Sequence, residues 1–183
     1  MKKIYLRLRS GVIFAAMTSI FLFATQAGSQ AQDIMVKTDG QAYIDAQSHS
    51  TWDDATSDLQ AAIDGLANNG GGEIWVAGGT YLPNLHFSAD PETEDQFETD
   101  PSDRYLAFVL RENVTVRGGF MGDENDISER PDNIFQGENT TILSGDVGDA
   151  DDATDNSYHV VIFPNGTTDN AILDGFMITG GNA

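Results

Sequence analysis

The chain has 183 residues, of which 29 are acidic and 9 are basic, and it contains no cysteine. All the acidic residues follow residue 32, whereas four of the basic residues precede it. The part of the chain that follows would therefore repel nucleic acid and anionic membranes. The lack of cysteine excludes disulfides and a lipid-modified cysteine, so packing, with or without bound ions, must stabilise the fold.

Residues 1–31 are predicted to be a secretory signal peptide. A basic start is followed by the apolar run from Val12 to Ala24, and small residues indicate cleavage after Ala27 or Ala31. A membrane anchor is the alternative, but such an apolar run is short for a span of about 20 residues. We expect the mature chain to be secreted or held at the cell surface, without inserting into the membrane.

Residues 51–69 predict one amphipathic α-helix. Thr51 with Asp54, and Ser50 with Asp53, fit the pattern of a capping box at its start. Apolar residues then recur at helical spacing, and glycines end the segment. These apolar residues are Ala55, Leu59, Ala62, Ile63 and Leu66. A single helix before a series of strands needs an apolar partner, so we expect it to cap the N-terminal end of a stack of strands.

The rest of the chain predicts short strands separated by polar loops. The predicted strand segments are 73–81, 105–110, 113–120, 140–144, 157–163 and 171–181, the last of which contains two strands joined at Asp174 and Gly175. The acidic, proline-containing segment 82–104 is predicted to be a long surface loop.

One small pattern occurs three times. TVRGG (115–119), TILSG (141–145) and AILDG (171–175) are short apolar runs, each closed by a glycine. Their even spacing falls within the period of about 20 to 50 residues that is typical of solenoids. We therefore predict an all-β fold, a parallel β-helix with an N-terminal capping α-helix. No polar terminal cap precedes Ala183, so residues 32–183 are expected to be the N-terminal part of a longer β-helix domain.

Several segments together resemble a known family. GGEIWVAGGTYLP, RYLAFVLRENVTVRGGFMGDE, TILSGD and AILDGFMITGGNA match, in content and in order, the N-terminal part of secreted right-handed parallel β-helix proteins of Bacteroidetes-type bacteria. These proteins belong to the pectate-lyase-like superfamily. The resemblance implies a secreted or outer-membrane-associated protein of a Gram-negative bacterium, with more rungs and a sorting domain downstream.

The expected function is binding of an extracellular polysaccharide or surface glycan by a non-catalytic, adhesin-like module. The alternative is a polysaccharide lyase or glycoside hydrolase whose catalytic rungs lie beyond residue 183. A purely structural stalk is a third possibility. Calcium-dependent release of unsaturated uronides would identify a lyase, and saturable glycan binding without turnover would identify the adhesin.

An acidic loop is the best metal candidate. Its carboxylates could supply the oxygen ligands that calcium prefers. They belong to Asp146, Asp149, Asp151, Asp152 and Asp155. The spacing of an EF-hand fails here because Ala153 and Thr154 occupy positions that need a ligand and a glycine. A solvated loop is the simpler interpretation.

A few other residues carry groups that are used in catalysis. Arg117 could act as the base of a lyase, although a strand charge paired with a neighbouring carboxylate is the simpler interpretation. Asp146 and Asp174 could stack one rung apart as a carboxylate pair, but turn residues bonded to the backbone are more common. His159 is expected to be packed and hydrogen-bonded within a strand.

Aromatic side chains provide the candidates for sugar contact. Those that could stack on sugar rings are Trp52, Trp75, Tyr81, Tyr105 and Tyr158. Tyr81 and Tyr105 flank the long loop and are the preferred candidates. Trp75 lies in an apolar strand and is expected to belong to the core.

Overall fold

The computed structural model describes residues 32–87, 104–150 and 152–183. The predicted signal peptide and residues 88–103 of the predicted acidic loop lie outside these ranges. Within them, no helix is both long and apolar enough to cross a membrane.

Strands dominate the regular structure of the described ranges, which hold one α-helix. The strands are β1 (Gln32–Gln41), β2 (Gly72–Ala77), β3 (Gly79–Tyr81), β4 (Leu85–His86), β5 (Leu106–Val109), β6 (Val114–Phe120), β7 (Thr141–Ser144), β8 (Val161–Ile162), β9 (Ile172–Asp174) and β10 (Met177–Thr179). The helix is α1 (Leu59–Asn68), and short 3-10 helices span Ala46–His49, Ile127–Glu129 and Gly137–Asn139.

The strands form three sheets, which the chain visits in turn. The first sheet has the order β1-β2-β6-β9, the second β3-β7-β10 and the third β4-β5-β8. All pairs are parallel except β4 with β5, which is a short antiparallel pair. From β6 onward the chain passes from the first sheet to the second and the third, and then returns to the first at β9. The predicted parallel strand pairing is confirmed.

The register corrects the predicted repeat. In the first sheet Arg117 lies opposite Asp174, so the TVRGG and AILDG segments occupy equivalent positions on adjacent strands. The TILSG segment lies between them in sequence but belongs to the second sheet, where Ile142 lies opposite Met177. The predicted three-copy repeat is therefore wrong. The prediction treated segments of two different sheets as copies of one unit, because strands of both sheets end in a glycine.

The inner face of the first sheet forms the core. Ile34, Ile74 and Val116 lie in register on adjacent strands, and Leu173 extends this column to β9. The first three of these side chains are fully buried. Burying a side chain of this size contributes about 1.5–3 kcal/mol. The column thus holds together strands that are far apart in sequence.

Helix α1 covers this core and also provides hydrogen-bond partners for the backbone of the third sheet. Its apolar stripe packs into the same cluster, as the spacing of Leu59, Ile63 and Leu66 predicted. The buried amide of Gln60 accepts from the backbone N–H of Val109 (2.8 Å) and donates to its carbonyl (3.1 Å). The helix thereby satisfies the backbone of β5 at Val109, beyond the two residues of β5 that pair with β4. The capping of a longer stack of strands stays a prediction.

The outer face of the first sheet carries a second, aromatic cluster. Trp75 stacks on Phe120 with ring centroids 4.9 Å apart and planes 7° apart. Trp52 packs against the same phenylalanine, and its indole N–H donates to the carbonyl of Glu124 (2.9 Å). The prediction that Trp75 is buried is confirmed, although it lies on the outer face rather than in the main core.

The helix begins later than predicted. It starts at Leu59, where the carboxylate of Asp58 accepts from the N–H of Ala61 (2.9 Å). The predicted capping pair, Thr51 and Asp54, is hydrogen-bonded within a separate turn. Thr56 then bridges to β1, a strand that the sequence did not reveal, so residues 55–57 pair with the sheet before the helix begins.

This correction leads to a stability prediction. Asp58→Ala is expected to lower the free energy of unfolding by about 1 kcal/mol, because it removes the side chain that caps α1. The control is Asp53→Ala, which changes an exposed carboxylate of the sequence-predicted cap and should have almost no effect. Urea unfolding followed by circular dichroism measures both. Equal losses for the two variants would contradict the observed helix start.

Candidate functional site

A cleft of about 260 Å³ opens beside the third sheet, next to the N-terminal ends of β5 and β8. Backbone hydrogen bonds hold together the three chain segments that form its walls. The N–H of Phe87 donates to the carbonyl of Tyr105 (2.9 Å), and the N–H of Tyr158 donates to the carbonyl of Arg104 (2.8 Å). The lining residues are Phe87, Arg104, Tyr105, Tyr158, His159, Ile162 and Ala183.

Aromatic rings form one side of this cleft. The ring of Tyr105 lies 5.2 Å from that of Tyr158, tilted by 56°, and 5.5 Å from the imidazole of His86. Tyr105 nevertheless keeps 54% of its surface exposed. The arrangement holds an aromatic ring in a defined position while leaving much of it accessible to a ligand.

A guanidinium group is fixed beside these rings. The Cζ of Arg104 lies 3.8 Å from the centre of the Tyr158 ring. Its Nε donates to the carbonyl of Asn156 (2.9 Å), and its Nη2 donates to the carbonyl of Asn182 (2.6 Å). The cation is therefore oriented by stacking and by two hydrogen bonds, and it supplies a fixed positive charge at the cleft.

The segment that carries Tyr158 is tightly held. The N–H of Ser157 donates to the carbonyl of Gly145 (2.8 Å), and the N–H of Asn182 donates to the carbonyl of Ser157 (2.9 Å). A Cβ at Gly145 would lie 2.8 Å from a methyl group of Val160 and 2.9 Å from the carbonyl oxygen of Gly180, so a side chain here would force these neighbours to move. Backbone hydrogen bonds and close packing thus hold this side of the cleft.

The structure corrects two of the sequence-based predictions for this region. The preferred sugar-contact residue Tyr81 is buried, with 5% of its surface exposed, and its hydroxyl donates to the carbonyl of Ala77 (3.0 Å). Burial also raises the pKa of its phenol. His159 is exposed and lies outside any strand, because only Val161–Ile162 of the predicted strand 157–163 is paired.

The candidate base Arg117 belongs to an ion-pair cluster on the first sheet. Its Nε lies 3.0 Å from Oε1 of Glu73, and its Nη1 lies 3.0 Å from Oδ2 of Asp174. The same oxygen of Asp174 lies 2.7 Å from Nη1 of Arg130. Although desolvation opposes the charge, the pairing with Glu73 and Asp174 raises the pKa of Arg117. A guanidinium held in this way serves the fold and is poorly suited to accept a proton.

Asp174 gives a prediction for pH dependence. Hydrogen bonds from Arg130, and then from Arg117, lower the pKa of Asp174 below its ordinary value of 3.8. Such a carboxylate stabilises the folded state above its unfolded pKa, and this contribution is lost as the pH falls through the folded pKa. We expect Asp174→Asn to destabilise the protein at pH 7 and to do so less at pH 3. Urea midpoints at both values test this, and a constant difference would contradict it.

The proposed carboxylate pair does not form. Asp174 lies in the first sheet, whereas Asp146 follows β7 of the second sheet and lies beside Gly180. The two residues therefore do not stack one rung apart. This expectation was wrong for the same reason as the predicted repeat: the glycine-closed segments that contain Asp146 and Asp174 belong to different sheets.

The acidic loop is held by its own hydrogen bonds where it is described. A carboxylate oxygen of Asp155 accepts from the N–H of Asp149 (2.8 Å), and Asp152 accepts from both the N–H and the hydroxyl of Thr154. Those bonds from Thr154 lower the pKa of Asp152. Asp151 lies outside the described residues, and among the others no three acidic or histidine side chains are placed to hold a metal ion. The calcium site stays a prediction.

Comparisons of the chain with models of protein families, with curated proteins and with solved structures give no match. The function is therefore argued from the geometry of the cleft.

Proposed function

We propose that the chain is the N-terminal part of a secreted right-handed parallel β-helix protein. Three sheets of mostly parallel strands, visited by the chain in a repeated order, support this fold, as does the column of buried residues that runs across the first sheet. In a β-helix each turn of the chain contributes one strand to each sheet. The resemblance to secreted β-helix proteins points in the same direction and suggests export to the surface of a Gram-negative cell.

We further propose that this protein binds an extracellular glycan through the aromatic cleft, without catalysing a reaction. The observation that carries the proposal is the half-exposed ring of Tyr105, positioned beside Tyr158 at the mouth of the cleft. The C–H groups of a sugar ring form an apolar face that packs on an aromatic ring. Polar groups at the cleft, above all Arg104, can then orient the sugar hydroxyls.

The enzyme alternative finds less support in the described residues. Arg117 and Asp174, two of its three sequence-based candidates, are paired with each other, and Arg130 shares the carboxylate. The third candidate, Asp146, lies beside Gly180 and not beside Asp174. A lyase needs a basic residue that can take up a proton beside a bound uronate. Binding at the cleft needs no such group, and we therefore favour a binding role.

Binding of purified polysaccharides by Tyr105→Ala tests the proposal. We expect about tenfold weaker binding to any glycan that the wild-type protein retains, because the substitution removes the accessible aromatic face. The matched control is Phe135→Ala, which removes a phenylalanine that is also 54% exposed but lies outside the cleft. Isothermal titration calorimetry provides the affinities. Unchanged binding in Tyr105→Ala, or equal loss in both variants, would reject the cleft as the site.

A further inference from the structure

An asparagine followed by a glycine occurs twice in the chain, at 69–70 and at 165–166. The side-chain amide of an asparagine can be attacked by the backbone nitrogen of the next residue. Glycine favours this attack, because it has no Cβ to block the approach and its backbone is more mobile than that of other residues. The two pairs share this reactive sequence, but the structure surrounds them differently.

The first pair is held by the C-terminal end of α1. The side-chain Nδ2 of Asn69 donates to the carbonyl of Gly65 (2.7 Å), which keeps the amide against the helix. The N–H of Gly70 contains the nitrogen that would attack, and it donates to the carbonyl of Ala67 (3.4 Å). An attack on Asn69 would therefore require both hydrogen bonds to break.

The second pair lies in an exposed turn between β8 and β9. The N–H of Thr167 donates to the carbonyl of Pro164 (3.0 Å), and Gly166 has a positive φ of 90°. This is the geometry of a type II turn with Asn165 and Gly166 at its central positions. Within the described ranges, neither the side chain of Asn165 nor the N–H of Gly166 has a hydrogen-bond partner. A Cβ at Gly166 would meet no described atom within 4 Å, so both reacting groups have room to approach each other.

We infer that Asn165 is a site of spontaneous deamidation and that the fold protects Asn69 from the same reaction. In the first step the backbone nitrogen of Gly166 forms a bond to Cγ of Asn165. The bond from Cγ to Nδ2 breaks, and the amide nitrogen leaves as ammonia with the proton of the Gly166 N–H. Water then opens the cyclic imide. Opening at Cγ gives aspartate, and opening at the main-chain carbonyl gives isoaspartate, in which the backbone runs through the side chain.

The modification changes the charge and the length of this turn. Either product places a new carboxylate at position 165, and isoaspartate also lengthens the main chain by a carbon atom. The following residues are tied to the preceding turn of the chain, since the N–H of Thr168 donates to the carboxylate of Glu112 (2.9 Å). Because like charges repel, we expect deamidation to weaken this contact. Asn165 is not among the described residues that line the aromatic cleft, so the reaction is independent of the glycan binding proposed above.

The test follows both asparagines in the purified full chain during incubation for several weeks at mildly alkaline pH. Peptide mapping by mass spectrometry after proteolysis measures the fractions of aspartate and isoaspartate at each position. We expect about tenfold more product at 165 than at 69, because a pair of hydrogen bonds opposes the reaction at Asn69. Comparable fractions at the two positions, or no product at 165, would overturn the inference.

The same incubation in concentrated urea separates the effect of the fold from that of the local sequence. Unfolding removes the hydrogen bonds at Asn69, so we expect the two positions to react to similar extents. If position 165 kept its full excess of product in urea, the fold would not be what distinguishes the two sites, and the inference would be overturned.

Two variants locate the reaction in the folded protein. Asn165→Gln moves the amide further from the attacking nitrogen, and Gly166→Ala places a Cβ beside that nitrogen. Ion-exchange chromatography resolves the more acidic form that the wild type is expected to accumulate, and neither variant should accumulate it. Circular dichroism confirms that each variant is folded. Folded variants that form the acidic species as fast as the wild type would show that it arises elsewhere, against the inference.

Discussion

Phe120→Ala is expected to lower the free energy of unfolding by about 4 kcal/mol, a large fraction of the stability of a small domain. The side chain is completely buried at the end of β6. Trp75 stacks on one side of it, Trp52 packs at a ring distance of 5.9 Å, and the guanidinium of Arg130 lies 5.5 Å from the ring centre. Removing the ring leaves a cavity between groups that are held by their own hydrogen bonds, so the site cannot collapse fully.

The matched control for this prediction is again Phe135→Ala. Phe135 belongs to the polar loop that follows β6 and is half exposed, so its truncation should change the free energy of unfolding by less than about 0.5 kcal/mol. Guanidinium chloride unfolding monitored by tryptophan fluorescence measures both variants, since the two tryptophans flank Phe120. Phe120→Ala with a loss no larger than that of the control would show that the outer cluster is loosely packed.

Gly78→Ala is expected to destabilise the protein by about 3 kcal/mol, the upper end of the usual cost of overpacking. Gly78 separates β2 from β3, where the chain turns from the first sheet to the second. A Cβ at this position would overlap the carbonyl oxygen of Glu138 and lie 2.8 Å from the Cα of Asn139. Both obstacles are backbone atoms of a segment that precedes β7. Removing this steric overlap would therefore require movement of the neighbouring backbone, which costs more free energy than the rearrangement of a side chain.

The control here is Gly70→Ala. Gly70 has a positive φ of 98°, but a Cβ would meet no atom within 4 Å. Its substitution should cost only about 1 kcal/mol, because an alanine tolerates this backbone conformation less well than glycine. Thermal unfolding compares the two variants. Similar melting temperatures would mean that steric overlap at Gly78 is not what requires the glycine.

The candidate site is visible in the sequence only in part. Tyr105 stands out because it borders the long acidic loop, and the structure places it at the cleft. Tyr158 is one of several aromatic residues without a distinguishing feature, and Arg104 is one basic residue among few. Their proximity depends on the hydrogen bond from the N–H of Tyr158 to the carbonyl of Arg104, two residues that are far apart in sequence. No local pattern encodes such a long-range contact.

The predicted start of the helix was also wrong because a long-range contact overrides the local pattern. Thr51 and Asp54 satisfy the pattern of a capping box, and their hydrogen bond does form. The tertiary structure uses that bond in a turn, because Thr56 pairs with β1 and holds the following residues against the sheet. A side-chain pair can stabilise a turn or a helix equally well, so the local sequence left both possibilities open.

The sequence by itself determined the type of element, and which of its faces is buried, for the helix and for several of the strands. Alternating apolar residues in 113–120, the helical spacing of Leu59, Ile63 and Leu66, and the glycine-closed strands all follow from local stereochemistry and burial. Only the tertiary structure decided which strands are neighbours. Parallel strands are joined by loops of variable length, so a longer stretch of chain separates Arg117 from its partner Asp174 than separates Ile142 from its partner Met177. The packing of the core selects these partners, and spacing along the chain does not record that choice.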